Sequence, residues 1–113
     1  MDPIEYNHLF LFLTNQSLPN SLNQNQINHI QKLSKHFIFK NNFIYKIDRR
    51  KENNLLRLLQ KHELEPVLFM FHNDPTSAHF ATDTMFEKLW FRYYWPQMYK
   101  DIRTYVQKCD ACQ

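Results

Sequence analysis

A mainly α-helical chain carrying one small antiparallel β-hairpin is the fold class this sequence predicts, and three observations carry it. Apolar residues recur at helical spacing in most segments, two β-rich runs flank Lys40-Asn41-Asn42, and Pro3, Pro66 and Pro96 stand where helices would begin. At 113 residues the chain makes one compact domain, or two small modules that each need extra help to be stable. With 43% hydrophobic and 16% aromatic residues it has the apolar surface to fold, which excludes wholesale disorder.

Asp2-Pro3-Ile4-Glu5 reads as a helix start, with Asp2 at the N-cap, proline at the first helical position and Glu5 placed for a capping box. The helix runs to about Leu13 and sets Tyr6, Leu9, Phe10 and Leu13 on one side. "TNQSLPNS" breaks it, and a second helix over residues 22–36 buries Ile27, Ile30 and Leu33. The Asn/Gln abundance here is a solvated helix face, because isoleucine and leucine run through it at helical spacing.

"FIFKNNFIYK" predicts a hairpin, since asparagine tolerates the positive φ that a tight turn demands. After the polar loop "DRRKENN", "LLRLL" supplies a third strand. Residues 63–71 are expected to be helical, with Pro66 confined to the first turn and so marking the start. From Thr82 a helix carries Met85, Phe86, Leu89 and Tyr93 inward, and Pro96 ends it and opens the next. That last helix aligns Met98, Ile102, Tyr105 and Val106, and Cys109 continues the stripe toward the core.

Charge is unevenly spread. Residues 32–61 carry nine Lys/Arg against Asp48 and Glu52, whereas the five cations and five carboxylates of residues 72–112 balance, so a phosphate-binding role points upstream. Asp2 and Glu5 stand where a secretory signal would carry lysines, and the following apolar run is too short for a membrane span. An intracellular chain without membrane contact is expected. In a reducing compartment the pair Cys109-x2-Cys112 is more often a metal or redox element than a disulfide, which favours zinc.

Two histidines frame "HNDPTSAHF", and the pattern H-x6-H, 29 residues, C-x2-C sets His72, His79, Cys109 and Cys112 on the helical frame. With "YYWPQMYKDI", "YVQKC" and the final "CQ", this stretch resembles the H2C2 zinc-binding domain at the N-terminus of retroviral and Ty3/gypsy-type retrotransposon integrases. The likeness is strong over residues 72–113 and weaker over residues 37–71, which are similar to the hairpin extension that precedes the domain in gypsy and spumavirus-like integrases. The chain departs from the family pattern at Ala78 and Ala81, where glycine is usual. A positive φ at Ala78 would cost about 1 kcal/mol.

The resemblance implies a zinc-stabilised three-helix, helix-turn-helix-like bundle over residues 63–113, preceded by a helical and hairpin extension over residues 1–62. It implies one structural zinc ion on His72, His79, Cys109 and Cys112, and a non-catalytic role in multimerisation and in gripping element DNA ends. It also places the chain in the nucleus or a retroelement particle, as an integrase fragment whose catalytic carboxylates lie in a core beyond residue 113. No small-molecule substrate is expected. An alternative of another class is a host-adopted protein-interaction module that no longer binds DNA. A redox or hydrolytic enzyme is disfavoured, because full ligation silences both thiolates.

Candidate DNA contacts are Arg49, Arg50 and Lys51, in a polar loop that is either a turn tip or a backbone contact, and Lys100 and Arg103, which share a polar face with Gln107. "WFRYYW" reads as core packing at a helix end, with a base-stacking platform as the competing reading. His8, His29, His36 and His62 lack ligand company and are read as surface residues.

A structural zinc uses all four tetrahedral positions and leaves none for substrate. Its binding contributes roughly 10–16 kcal/mol in small peptides, comparable to the ~5–15 kcal/mol stability of an ordinary domain. Affinity is expected to fall near or below ~pH 6, as the histidines and thiolates take up protons. A chelator should therefore unfold residues 63–113 while the upstream module keeps structure. Far-UV circular dichroism checks this, and uniform loss or uniform retention of helix signal would count against it.

Overall fold

The structure, a computed structural model, describes residues 1–72 and 82–108. Five helices and one four-stranded sheet make up the described chain. Helix α1 (Pro3–Leu13) begins as expected: Asp2 accepts from the Glu5 amide at 3.2 Å and Pro3 opens the first turn. The Glu5 carboxylate does not close a capping box. It meets His29 Nε2 at 3.1 Å and so pins α1 to α2 (Gln24–Ser34). The complete box sits on α2, where Asn23 and Gln26 satisfy each other's amides. That cap starts α2 two residues later than the periodicity suggests.

Strands β1 (Phe37–Lys40) and β2 (Phe43–Ile47) pair antiparallel around a two-residue turn, with Asn41 at φ 52° and Asn42 at φ 67°. Positive φ at both positions is the geometry that matches strand twist, and asparagine is the cheapest residue other than glycine to adopt it. Strand β3 (Leu55–Leu58) pairs antiparallel with β2, completing the expected meander.

The next two elements differ from expectation. Helix α3 runs Lys61–His72, so Pro66 lies inside it rather than in its first turn. The start is set by Glu63, whose carboxylate accepts from the Gln60 amide at 3.0 Å and from Arg57. This cap outweighs the one hydrogen bond that proline removes close to the helix start. Helix α4 (Thr82–Leu89) ends four residues before Tyr93, which lies instead in β4 (Tyr93–Tyr94). The open edge of β3 captures this segment in parallel: the Arg57 amide donates to the Arg92 carbonyl at 2.9 Å and the Leu59 amide to Tyr94 at 3.0 Å. Helix α5 (Met98–Gln107) follows, its N-cap Gln97 held at φ 65°.

Two apolar cores result. One gathers Met1, Leu9, Phe37, Ile44 and Leu58 between α1 and the hairpin, and the other gathers Leu59, Leu68, Met85, Leu89, Trp95, Met98 and Ile102 among α3, α4 and α5. Tyr94 packs against both, and the sheet crosses the boundary between the expected upstream and downstream modules. Among the described residues no helix is long and apolar enough to cross a membrane.

A polar knot reinforces that joint. Asp48, its side chain 2% exposed, accepts from the Arg50 amide and guanidinium Nε at 2.9 Å and from Asn54 Nδ2 at 2.9 Å. Arg50 and Asn54 in turn donate to the carbonyls of Trp90 and Phe91. The Arg50 side chain, then Asn54, then the Arg50 amide hold the Asp48 carboxyl well below the usual carboxylate range, against the opposing effect of burial. A carboxyl lowered in the folded state contributes stability above its unfolded pKa of about 3.9, lost as pH falls through lower values. Asp48→Asn is therefore expected to cost roughly 1–2 kcal/mol at neutral pH, moderated because Arg50 faces solvent. It should also flatten the loss of stability below ~pH 4. Urea titrations at neutral and acidic pH measure both; an unchanged acid slope would remove Asp48 from this role.

Candidate metal centre

His72 closes α3, on the stripe that also carries Leu64 and Leu68 toward the core. It is 1% exposed, the one buried histidine among the described residues. Its Nδ1 lies 3.2 Å from the Met85 sulfur in the first turn of α4. Its ring stands edge-on to Tyr105 in the last turns of α5, with centroids 5.6 Å apart and planes at 88°. Three helices thus meet on one imidazole.

The meeting point bears on the other expected ligands. His79, Cys109 and Cys112 lie outside the described residues, as do Ala78 and Ala81. Among the described residues no group of three or more His, Cys, Asp or Glu is arranged to hold a metal. What is described is the anchoring of the segments that lead to them. His79 precedes the first residue of α4 by three positions, and Cys109 follows Tyr105 by four. Met85 in the first turn of α4 and Tyr105 near the end of α5 both contact His72.

His72, the one expected ligand among the described residues, is of a type that zinc accepts. In the tautomer with its hydrogen on Nδ1, a neutral His72 would donate weakly to the Met85 thioether, and Nε2 would be the atom able to ligate a metal. Burial among Leu68, Met85 and Tyr105 keeps the ring in one orientation. Periodicity alone places Met85 and Tyr105 on inward faces. Their contact with His72 could not be read from it, because it depends on how three helices cross.

The expected DNA contacts have diverse surroundings. Arg49 Nη2 lies 2.9 Å from His36 Nδ1, and Arg50 is committed to Asp48, to the Trp90 carbonyl and to the Trp90 ring, 3.9 Å from its centroid. Lys51 is exposed in the loop after β2, and Lys100 and Arg103 are exposed on α5. Within "WFRYYW", Trp95 is core at 1% exposure, Trp90, Tyr93 and Tyr94 are half-buried, and Phe91 is 55% exposed.

Residues 59–113 match the family model described as the integrase zinc binding domain. Over 84 residues, 74% of this chain, the sequence is 25% identical to Gypsy retrotransposon integrase-like protein 1 of Homo sapiens and of Pongo abelii. The Mus musculus protein of that name is 24% identical over the same length. The aligned stretch covers 16% of each of these relatives.

Met85→Leu preserves apolar volume at a cost below ~1.5 kcal/mol but removes the sulfur beside Nδ1. We expect zinc affinity to fall about ten-fold, the low end for partners of ligating histidines. Competition against a chromophoric chelator measures it, and unchanged affinity would assign Met85 to packing alone.

Proposed function

We propose, from the premise that residues 59–113 carry an integrase-type zinc-binding domain, that this chain acts as a non-catalytic structural module of a retrotransposon-type integrase. In this reading His72, His79, Cys109 and Cys112 hold one zinc ion, and α3, α4 and α5 form a helix-turn-helix-like bundle around it. The module self-associates and binds element DNA ends weakly, through contacts that salt weakens. The observation that carries the reading is His72, buried where α3 meets Met85 and Tyr105 in a segment matching a zinc-binding family.

When bound, the metal supplies cross-linking and no chemistry, since four protein donors leave no position for water or substrate. The chain's own part is to hold the His72 ring fixed and to bring the ends of three helices together. Exposed Phe69 (61%) and Met70 (57%) on α3 support a protein contact in the same module, which suits self-association. They suit equally the rival reading, a protein-interaction module adopted by a host and indifferent to DNA.

Native mass spectrometry of the purified chain is expected to find one zinc per chain, in a dimer or larger species. Fluorescence anisotropy with duplex DNA should then give log affinity falling linearly with log salt, by about 0.9 per phosphate contacted. A folded, metal-free monomer would overturn the zinc reading. Zinc-loaded oligomer without DNA affinity at low salt would favour the rival.

A further inference from the structure

A cleft of about 650 Å³ opens between the hairpin extension and the α4–α5 pair, and neither half forms it alone. From the extension come Lys46, Arg49 and Arg50; from the other half come Phe86, Trp90 and Tyr99. The cations are not balanced. Asp48 is consumed by Arg50 and Asn54, and among the described residues no carboxylate pairs with Lys46. The half-buried Lys46 ammonium rests 3.9 Å from the centre of the Tyr94 ring. Burial, followed by the neighbouring Arg49 and Arg50, moves its pKa down, against the weaker opposing pull of Asp48.

The aromatic wall is not ordinary core. Phe86 lies 5.9 Å from Trp90 at an interplanar angle of 30°, and meets Tyr99 edge-on at 5.5 Å. Tyr99 is 45% exposed, its hydroxyl donating to Asp83 at 2.6 Å, so the ring is braced while still reaching solvent. Gln97, the N-cap of α5, lines the same cleft in the left-handed region at φ 65°, uncommon for glutamine. The volume lies within the range of small-ligand sites. Cations beside stackable rings are the elements of recognition for unpaired nucleotides.

We propose that this cleft receives an unpaired nucleotide, its phosphate on Lys46 and Arg49 and its base against the exposed Tyr99 ring, which Phe86 backs and beside which Trp90 lies under Arg50. The proposal rests on the DNA-binding reading above and names the surface that reading would use.

The test uses the zinc-loaded full chain, with a labelled oligodeoxythymidylate of about ten residues as the probe and a blunt duplex of equal length beside it. We expect the single strand to bind more tightly and to quench tryptophan emission, which would report Trp90 because Trp95 is buried. Tyr99→Ala should weaken single-strand binding about five-fold or more. Tyr99→Phe, which keeps the ring, should not. Lys46→Gln should weaken it several-fold and lower the salt slope by about one; as a substitution within a strand it keeps the test open if Tyr99→Ala fails to fold. Duplex binding with no preference for the single strand, unchanged in both variants, would overturn the cleft and leave the DNA reading standing. No binding to either nucleic acid at low salt would overturn both.

Discussion

Strand β3 is the piece on which both halves of the molecule rest. One edge pairs with β2 and the other with β4, so residues 55–58 sit between the hairpin extension and the helices that follow. Leu58 enters the core beneath α1 and the adjacent Leu59 enters the core of α3, α4 and α5, as alternation along an extended strand requires. Because β4 is only two residues long, pairing alone would hold the joint weakly. The Asp48, Arg50 and Asn54 network, reaching the carbonyls of Trp90 and Phe91, closes the same joint with charge-assisted hydrogen bonds.

This joint changes how much of the folding the apolar core can carry by itself. Sequence alone suggests a second half too small to hold together without zinc. The described helices nonetheless bury Trp95, Leu89, Met85 and Ile102 almost completely, and Leu59, just after β3, joins them. Each such side chain contributes about 1.5–3 kcal/mol of gross apolar burial before chain entropy is subtracted. A zinc ion held as proposed would therefore be less a substitute for a core than a clamp on its open end, where α3 finishes at His72.

The same joint creates the basic and aromatic cleft. Cation–π contacts of Lys46 with Tyr94 and Arg50 with Trp90 cross from the extension to the helical half. Such contacts contribute about 0.5–2 kcal/mol each, depending on desolvation. They seat the charged groups themselves on the rings, so the positive field expected from residues 32–61 is focused beside the aromatic wall.

Much of this was legible from residue order. Asparagine at 41 and 42 specified a turn with positive φ, Asp2-Pro3 specified a helix start, and the stripe Met98, Ile102, Tyr105 and Val106 specified an inward face, because each rests on interactions within a few residues. The histidine and cysteine spacing pointed to the family that residues 59–113 match, since ligand chemistry is written in residue type and separation. The strand at Tyr93 and Tyr94, the early start of α3, the contact of Met85 with His72 and the company of Lys46 were decided by tertiary structure. Each depends on partners far along the chain: an open edge on β3, a carboxylate on Glu63 drawn to Arg57, three helices crossing, two halves meeting. Local periodicity carries no term for such encounters, so only the folded chain could settle them.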